Sequence, residues 1–440
     1  MNQKISENWS TTYREIQRVL PSLETIRNTN MKYGLLGRVL GHSFSKAIHA
    51  QLGDYSYEMF QREEDEIPEL LEDEQISGLN VTIPYKEKIM EFCDVVTERG
   101  KKIGCINTVV FNQERRLLGD NTDYYGFMYL LNSLVPDVNQ MSALILGDGA
   151  TSKTVSAVLE DKGIEYVKLS RKTPPFYSDM KKYQNADILI NTTPVGMYPN
   201  NGKGLVDLKE WPYLKAVIDV VYNPLKTKLL LDAKNLGIPH SGGLPMLVVQ
   251  AVKASEIFTG KEVASDKTEE IIKKLVLDFG NIVLIGMPGS GKTTVGKELA
   301  RVSGRTFVDL DDEIEKYTGM AIPDIFEKYG EDHFRHLESE VIQEFGKQTG
   351  IIIATGGGAV TRADNYNPLV QNGRIYLLER DLESLELKGR PLSTSRDQIK
   401  ALWEERKDAY TKFSDAKVYN QDIEKAALEI WEDYNENFAY

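Results

Sequence analysis

The stretch GMPGSGKT fits the phosphate-loop pattern G-x-x-x-x-G-K-[ST]. It follows the apolar run NIVLI and precedes a helical pattern, which is the context that a nucleotide-binding loop requires. Glycines allow backbone N–H groups to surround phosphate oxygens, while the lysine neutralises phosphate charge and the threonine hydroxyl binds Mg²⁺. The pattern therefore predicts a nucleoside triphosphate site made of Gly286, Gly289, Ser290, Gly291, Lys292, Thr293 and Thr294. Thr293 would also be a metal ligand.

Charged side chains suited to phosphoryl transfer follow this loop. Asp309 and Asp311 stand at alternate positions where a predicted strand ends. One carboxylate can hold Mg²⁺, and the other can orient or deprotonate an attacking hydroxyl. Arg335 and Arg406 can form forked pairs with a substrate carboxylate, although an arginine taken alone is ordinarily a solvated surface residue. Their order after a phosphate loop favours the functional interpretation.

A second glycine turn lies in the segment ALILGDGATSKT. The first glycine would make a tight turn after a strand, and the second would let a pyrophosphate approach the N-terminus of the following helix. Enzymes that use NAD carry an acid at the end of the next strand, but here the sequence reads SRK. Two cations without an acid favour the 2′-phosphate of NADP. The candidate cofactor residues are Gly147, Gly149, Ala150, Ser170, Arg171 and Lys172.

These residues need rigid elements to place them. From Met31 onward, strand-like apolar runs alternate with amphipathic stretches, and this alternation predicts an α/β fold built from βαβ units and parallel sheets. Asp266 with Glu269 resembles a capping box, so a short linker helix is predicted over 266–280. We place the main domain boundary at its end.

Composition limits the class of protein. A chain of 440 residues predicts about three folding units. A net charge of −13 argues against a dedicated nucleic-acid-binding protein, and no apolar run reaches the ~18 residues that a membrane span needs. The polar start MNQKISENWS does not resemble a secretory signal, and two cysteines exclude a disulfide scaffold. We therefore expect a cytoplasmic protein that binds neither nucleic acid nor a membrane.

Further motifs follow the phosphate loop in the order DLD, FRHLE, TGGG, GRPL and ERKDAY. Over about residues 281–440, this order and spacing closely resemble shikimate kinase. The resemblance implies a P-loop domain of the nucleoside monophosphate kinase type that uses ATP and Mg²⁺ to phosphorylate shikimate. It implies that Asp309 holds Mg²⁺, that Asp311 contacts the reacting hydroxyl, and that Arg390 is the lid arginine that closes on ATP. The implied shikimate-binding residues are Asp311, Arg335, Gly357, Gly358 and Arg406.

One segment departs from that family. Residues 385–392, LELKGRPL, are shorter than the usual lid, and the arginine that normally precedes the lid on the adenine side has no clear match. A nucleotide-binding module with weak or no turnover therefore stays open as an alternative for this half of the chain.

The N-terminal half carries its own ordered motifs, GHSFS, NVTIPYK, GCINT, GDNTDYYG, NTTPVGM, DVVYNP and GGLPMLVVQA. Over about residues 31–265 they closely resemble shikimate dehydrogenase. The resemblance implies that Lys86 and Asp123 form the catalytic pair beside the ketone of 3-dehydroshikimate. The implied substrate-binding residues are Ser43, Ser45, Thr82, Asn107, Tyr222 and Gln250, and Met197 and Gly243 join the NADP site.

The two resemblances together imply a domain order. After an extension over 1–30, we expect a substrate-binding domain over 31–137 that is completed by 240–265, a Rossmann NADP-binding domain over 138–239, the linker helix, and a kinase domain over 281–440. We expect NADPH-dependent reduction of 3-dehydroshikimate followed by phosphorylation of shikimate. A broader quinate/shikimate dehydrogenase is the alternative for the first activity, and a homodimer is left open.

Overall fold

A computed structural model describes residues 31–41, 43–385 and 395–438 of the chain. The contacts divide the chain into two compact units. The first takes the chain up to Thr193 together with Lys209–Val220 and Gly237–Ile272, and the second takes Pro194–Leu208, Val221–Leu236 and the chain from Lys273 onward. The α/β class that the sequence predicts is confirmed.

The helices are α1 (Ser45–His49), α2 (Ile67–Glu72), α3 (Glu98–Ile103), α4 (Asp123–Leu134), α5 (Ala150–Asp161), α6 (Lys228–Asn235), α7 (Leu244–Thr259), α8 (Ser265–Phe279), α9 (Lys292–Ser303), α10 (Leu310–Thr318), α11 (Ile322–Phe345), α12 (Tyr366–Val370), α13 (Arg396–Phe413) and α14 (Ile423–Asn437). The linker helix predicted over 266–280 corresponds to α8. Within the described residues, none of these helices is long and apolar enough to cross a membrane.

The first sheet of the first unit has six strands in the order β2-β1-β3-β5-β6-β4. They are β1 (Lys32–Gly37), β2 (Ser56–Gln61), β3 (Ile76–Val81), β4 (Val95–Val96), β5 (Thr108–Phe111) and β6 (Leu117–Asp120). Strand β5 pairs antiparallel with both β3 and β6, so this sheet is mixed, whereas the sequence predicts parallel sheets. A short connection joins β5 to β6, and an antiparallel hairpin can close over such a connection whereas a parallel pair cannot.

The second sheet of this unit has five parallel strands in the order β11-β10-β9-β7-β8. They are β7 (Ser142–Leu146), β8 (Glu165–Leu169), β9 (Ile188–Asn191), β10 (Ala216–Asp219) and β11 (His240–Ser241). The chain runs from β7 outward to β8 and then returns to the other side of β7 as β9. Ligands of open α/β sheets bind at such a reversal, outside the carboxyl ends of the strands.

The sheet of the second unit has five parallel strands in the order β13-β14-β12-β15-β16. They are β12 (Asn281–Ile285), β13 (Thr306–Asp309), β14 (Ile351–Ala354), β15 (Gly373–Glu379) and β16 (Ala416–Tyr419). All residues of β12 and β14 are buried, as expected for central parallel strands that are covered on both faces. This sheet supports the phosphate loop at the end of β12.

Two segments that precede the linker helix belong to the second unit. The N–H of Lys226 donates to the carbonyl of Gln371 at 2.8 Å, and the N–H of Leu225 donates to Oδ1 of Asn372 at 2.9 Å. Leu231 on α6 joins the main hydrophobic cluster of this unit. The sequence analysis places this stretch in the NADP-binding domain, predicted over 138–239. The contacts instead group it with the second unit.

Candidate active sites

A lysine–carboxylate pair lies in the first unit. Lys86, in the loop after β3, donates from Nζ to Oδ2 of Asp123, the first residue of α4, at 2.5 Å. Their side chains are only 13% and 10% exposed, so the ion pair is shielded from most of the solvent. A shielded ammonium held by a carboxylate can share a proton with a developing alkoxide.

Asn107 connects this pair to helix α7. Its Nδ2 donates to Oδ1 of Asp123 at 3.0 Å and to Oε1 of Gln250 at 3.3 Å. Its Oδ1 accepts the backbone N–H of Thr122 at 2.6 Å. These contacts leave Asn107 with one orientation, and they bring four of the residues predicted for this site, Lys86, Asp123, Asn107 and Gln250, into one polar cluster.

The two predicted serines form a smaller group of their own. The hydroxyl of Ser43 donates to Oγ of Ser45, at the start of α1, at 3.1 Å. Thr82 donates its backbone N–H to the carbonyl of Leu36 and is half-buried. Tyr222 lies in the second unit, and its predicted role in substrate binding stays a prediction.

Sequence reasoning missed a polar network behind the cluster. Tyr57 donates from its hydroxyl to Oδ1 of Asn80 at 2.9 Å, and Nδ2 of Asn80 donates to Oγ1 of Thr108 at 3.1 Å. The Thr108 hydroxyl in turn donates to Oδ1 of Asn107 at 3.3 Å. Asn80 is the first residue of the NVTIPYK motif, and this position was the signal by which the sequence could have indicated its role. Buried polar groups that are fully paired in this way hold a site rigid.

The turn after β7 has the form that a dinucleotide site needs. Gly147 has φ +118°, and a Cβ there would lie 2.5 Å from Oγ1 of Thr192, so only glycine fits. A Cβ on Gly149 would meet no atom within 4 Å, so this side of the turn is open to a ligand. Gly149 caps α5, which begins at Ala150, and the N-terminus of such a helix favours phosphate.

The end of β8 carries the predicted phosphate-binding cations. Arg171 and Lys172 are exposed, whereas Ser170 is 2% exposed and accepts the N–H of Lys172 at 2.9 Å. Gly243 caps α7 in the same unit. Met197 lies in the second unit, and its predicted role in the NADP site stays a prediction.

In the second unit, the phosphate loop is held by its own lysine. Nζ of Lys292, the first residue of α9, donates to the carbonyls of Gly286 and Met287 at 2.9 and 3.1 Å. Asn420 donates from Nδ2 to the carbonyl of Ser290 at 2.7 Å, a support that sequence reasoning missed. Oγ1 of Thr293 donates to Oδ2 of Asp309 at 2.6 Å, which brings the two predicted Mg²⁺ ligands together.

The described residues around this loop line a cavity of about 470 Å³. Its lining includes Pro288, Gly289, Gly291, Lys292, Thr293, Thr294, Asp309, Asp311, Arg335, Gly356, Gly357, Gly358, Arg380 and Arg406. Most residues predicted for ATP and shikimate therefore share one concave site. Arg380 was not predicted, because nothing in the sequence marks it as a lining residue. Arg390 lies outside the described residues.

Asp311 is the carboxylate with the most altered acidity in this cavity. Burial raises its pKa to about 6, and the carboxylates of Asp309 and Glu338 add to the effect. An ordinary aspartate titrates near 3.8. A carboxyl group that titrates near neutral pH can take a proton from a hydroxyl and release it again.

The glycines after β14 make room for charged side chains. A Cβ on Gly358 would lie 2.2 Å from Cζ of Arg335, and a Cβ on Gly356 would lie 2.4 Å from Oε1 of Glu338. Arg335 donates to Oε2 of the fully buried Glu338 at 2.7 Å. Arg406 donates to the carbonyl of Gly357 at 3.3 Å. Two guanidinium groups are thus fixed beside one glycine segment, where a carboxylate ligand can reach both.

The chain is similar to known proteins in both halves. The model of the shikimate dehydrogenase substrate binding domain matches residues 35–109, and the shikimate kinase model matches residues 288–435. The NADP(+) shikimate dehydrogenase of Clostridium perfringens strain 13 is 38% identical over 269 residues, which are 56% of this chain and 99% of the relative.

Solved structures agree with these matches. A chorismate mutase/shikimate 5-dehydrogenase fusion protein from Clostridium acetobutylicum is 30% identical with a TM-score of 0.54, over 56% of this chain and 98% of that one. Shikimate dehydrogenase 1 from Peptoclostridium difficile is 34% identical with a TM-score of 0.52, over the same 56% of this chain and 98% of its own.

Proposed function

Because the chain belongs to the shikimate dehydrogenase family and carries a C-terminal shikimate kinase domain, we propose that it is a bifunctional enzyme. It reduces 3-dehydroshikimate to shikimate with NADPH, and it transfers the γ-phosphoryl group of ATP to the 3-hydroxyl of shikimate. The observation that carries this proposal is that one chain holds the shielded Lys86–Asp123 pair and, in its other unit, the phosphate-loop cavity with Asp311.

In the first reaction, the ring carbonyl carbon gains a hydride and its oxygen gains a proton. Bound NADPH supplies the hydride. The Lys86–Asp123 pair holds a proton at the carbonyl oxygen, and Asn107 and Gln250 orient the pair and bind substrate hydroxyls. Gly149 leaves room for the pyrophosphate, and Arg171 and Lys172 attract a 2′-phosphate.

In the second reaction, the 3-hydroxyl oxygen of shikimate attacks the γ-phosphorus while the bond to the ADP oxygen breaks. Asp311 accepts the hydroxyl proton, and Arg335 and Arg406 bind the carboxylate of shikimate. Lys292 neutralises the β- and γ-phosphates. Mg²⁺ bound near Thr293 and Asp309 would neutralise further phosphate charge, and such a site with few protein ligands is ordinary for Mg²⁺.

Two assays on the full chain test the proposal. The first follows NADPH oxidation with 3-dehydroshikimate, and the second follows shikimate-dependent ADP release from MgATP. Lys86→Ala is expected to abolish only the first, and Asp311→Asn only the second. A chain that binds ATP without releasing ADP would refute the kinase half and leave a nucleotide-binding module. A kcat/KM for quinate equal to that for shikimate would refute the narrower dehydrogenase assignment.

A further inference from the structure

A carboxylate lies beside the cations of the predicted NADP site. Asp148 is in the glycine turn after β7, and Ser170 is the first residue after β8. The two strands are parallel neighbours with Leu146 opposite Leu169, so the residues that follow them leave the same edge of the sheet. The hydroxyl of Ser170 donates to Oδ2 of Asp148.

The surroundings of Ser170 fix the direction of this hydrogen bond. Oγ of Ser170 accepts the backbone N–H groups of Lys172 and Thr173 at 2.9 and 3.2 Å. A hydroxyl has one proton and two acceptor positions, so with both acceptor positions used its proton points to Asp148. Asp148 is exposed, and in the described part of the chain its Oδ1 has no hydrogen-bond donor. A ligand hydroxyl can therefore donate to this oxygen.

The Asp148 carboxylate leaves the neighbouring cations, Arg171 and Lys172, available to a ligand. Within residues 31–41, 43–385 and 395–438, neither Arg171 nor Lys172 forms an ion pair. Burial raises the pKa of Tyr177, the charge of Arg171 lowers it and the charge of Asp148 raises it, so both charges lie close to one phenol. The edge of the sheet thus presents an acceptor for a hydroxyl and two cations for a phosphate around the same position.

We propose that Asp148 sets how strongly this chain prefers NADPH to NADH. In this fold the adenosine ribose of the cofactor lies at the end of the second strand, where an acid accepts the 2′-hydroxyl of NAD and cations attract the 2′-phosphate of NADP. Here the acid comes from the glycine turn, not from the second strand. Its carboxylate accepts the 2′-hydroxyl of NADH and repels the 2′-phosphate of NADPH, so the chain uses both cofactors. The inference rests on the proposed dehydrogenase function.

The substitution Asp148→Asn tests this role, because it removes the charge and keeps an oxygen for the Ser170 hydroxyl. We expect the ratio of kcat/KM for NADPH to kcat/KM for NADH to rise about tenfold or more, which corresponds to about 1.4 kcal/mol. NADPH should bind more tightly and NADH more weakly in titrations that follow nicotinamide fluorescence. Glu165→Gln is the matched control, because it removes one negative charge from an exposed residue at the opposite end of β8.

Several outcomes would overturn the inference. A ratio within twofold of the parent chain would do so, as would equal losses with both cofactors, which would indicate a merely structural role for the turn. A shift of the same size in Glu165→Gln would show a general charge effect. If the parent chain reduces 3-dehydroshikimate with neither cofactor, the proposed function fails, and the two fluorescence titrations still decide whether Asp148 discriminates between the cofactors.

Discussion

Replacing Asp311 by asparagine is expected to stop kinase turnover and to stabilise the second unit at neutral pH. Burial and two neighbouring carboxylates raise the pKa of Asp311 to about 6 from the ordinary value of 3.8. A carboxyl group whose pKa is higher in the folded chain contributes stability that is complete below the unfolded pKa and is lost as the pH rises through the folded pKa. At about pH 8, the ionised Asp311 therefore lowers the free energy of unfolding.

The size of this effect follows from the shift in pKa. A shift of roughly two units corresponds to about 3 kcal/mol at about 1.4 kcal/mol per unit, and this is an upper limit. The Asp311 side chain is only half-buried, so solvent screens part of the interaction and about 1–2 kcal/mol is expected. For a unit of this size, each kcal/mol raises Tm by about 2–4 °C, so we expect a gain of about 2–8 °C.

Differential scanning calorimetry of the full chain, without nucleotide or Mg²⁺, measures this gain. The gain in Asp311→Asn should be full at about pH 8 and reduced to about a third at about pH 4.5, where the folded Asp311 keeps its proton but the unfolded one has largely lost it. Asp312→Asn is the matched control, because Asp312 is exposed in the same first turn of α10. Asp311→Asn should also lower shikimate-dependent ADP release about 10²-fold or more. No gain over Asp312→Asn at about pH 8, or the same gain at both pH values, would refute the reasoning.

Three further substitutions separate the two activities. Lys86→Ala should lower dehydrogenase kcat about 10²-fold or more because it removes the ammonium held by Asp123, and unchanged dehydrogenase turnover would contradict this role. Gly147→Ala should raise KM for NADPH about tenfold, since the added Cβ would lie 2.5 Å from Oγ1 of Thr192. Gly163→Ala controls for backbone strain alone, because Gly163 has φ +70° and open space around it. Arg406→Ala should raise KM for shikimate in the kinase assay about tenfold and leave NADPH oxidation unchanged, and an unaltered KM would exclude it from the carboxylate site.

Local patterns predicted the elements well. The run NIVLI is β12 in full, and the helix expected over 266–280 is α8, Ser265–Phe279. The strand follows from the burial of a short apolar run. The helix was predicted with Asp266 as its cap, but α8 begins at Ser265, so Asp266 lies inside its first turn. The antiparallel pairing of β5 with β3 was not predicted, because the direction of strands that are distant in sequence depends on the path of the chain between them.

Contacts between distant segments were the part that the sequence could not supply. Asn80 is 28 residues from its partner Thr108, and Ser170 is 22 residues from Asp148. The contact of Ser170 with Asp148 depends on the register of β7 against β8, in which a shift by one residue would turn every side chain to the other face. Arg380 lines the phosphate-loop cavity because it follows β15, and β15 lies beside β12. The sequence does not show that these two strands are neighbours.

The hydrogen bonds that Leu225 and Lys226 make with Asn372 and Gln371 bear on how this chain can be divided. Leu231, from the same stretch, fills part of the second unit's core, so a gene fragment starting at residue 281 would encode a kinase with a gap in that core. Loss of a buried leucine leaves a cavity that costs about 2–5 kcal/mol. Cleavage at the linker helix would also leave the stretch 221–236 covalently attached to the dehydrogenase fragment, and separating the two fragments would expose its buried leucines. The peptide boundary and the packing boundary of the two enzymes therefore do not coincide.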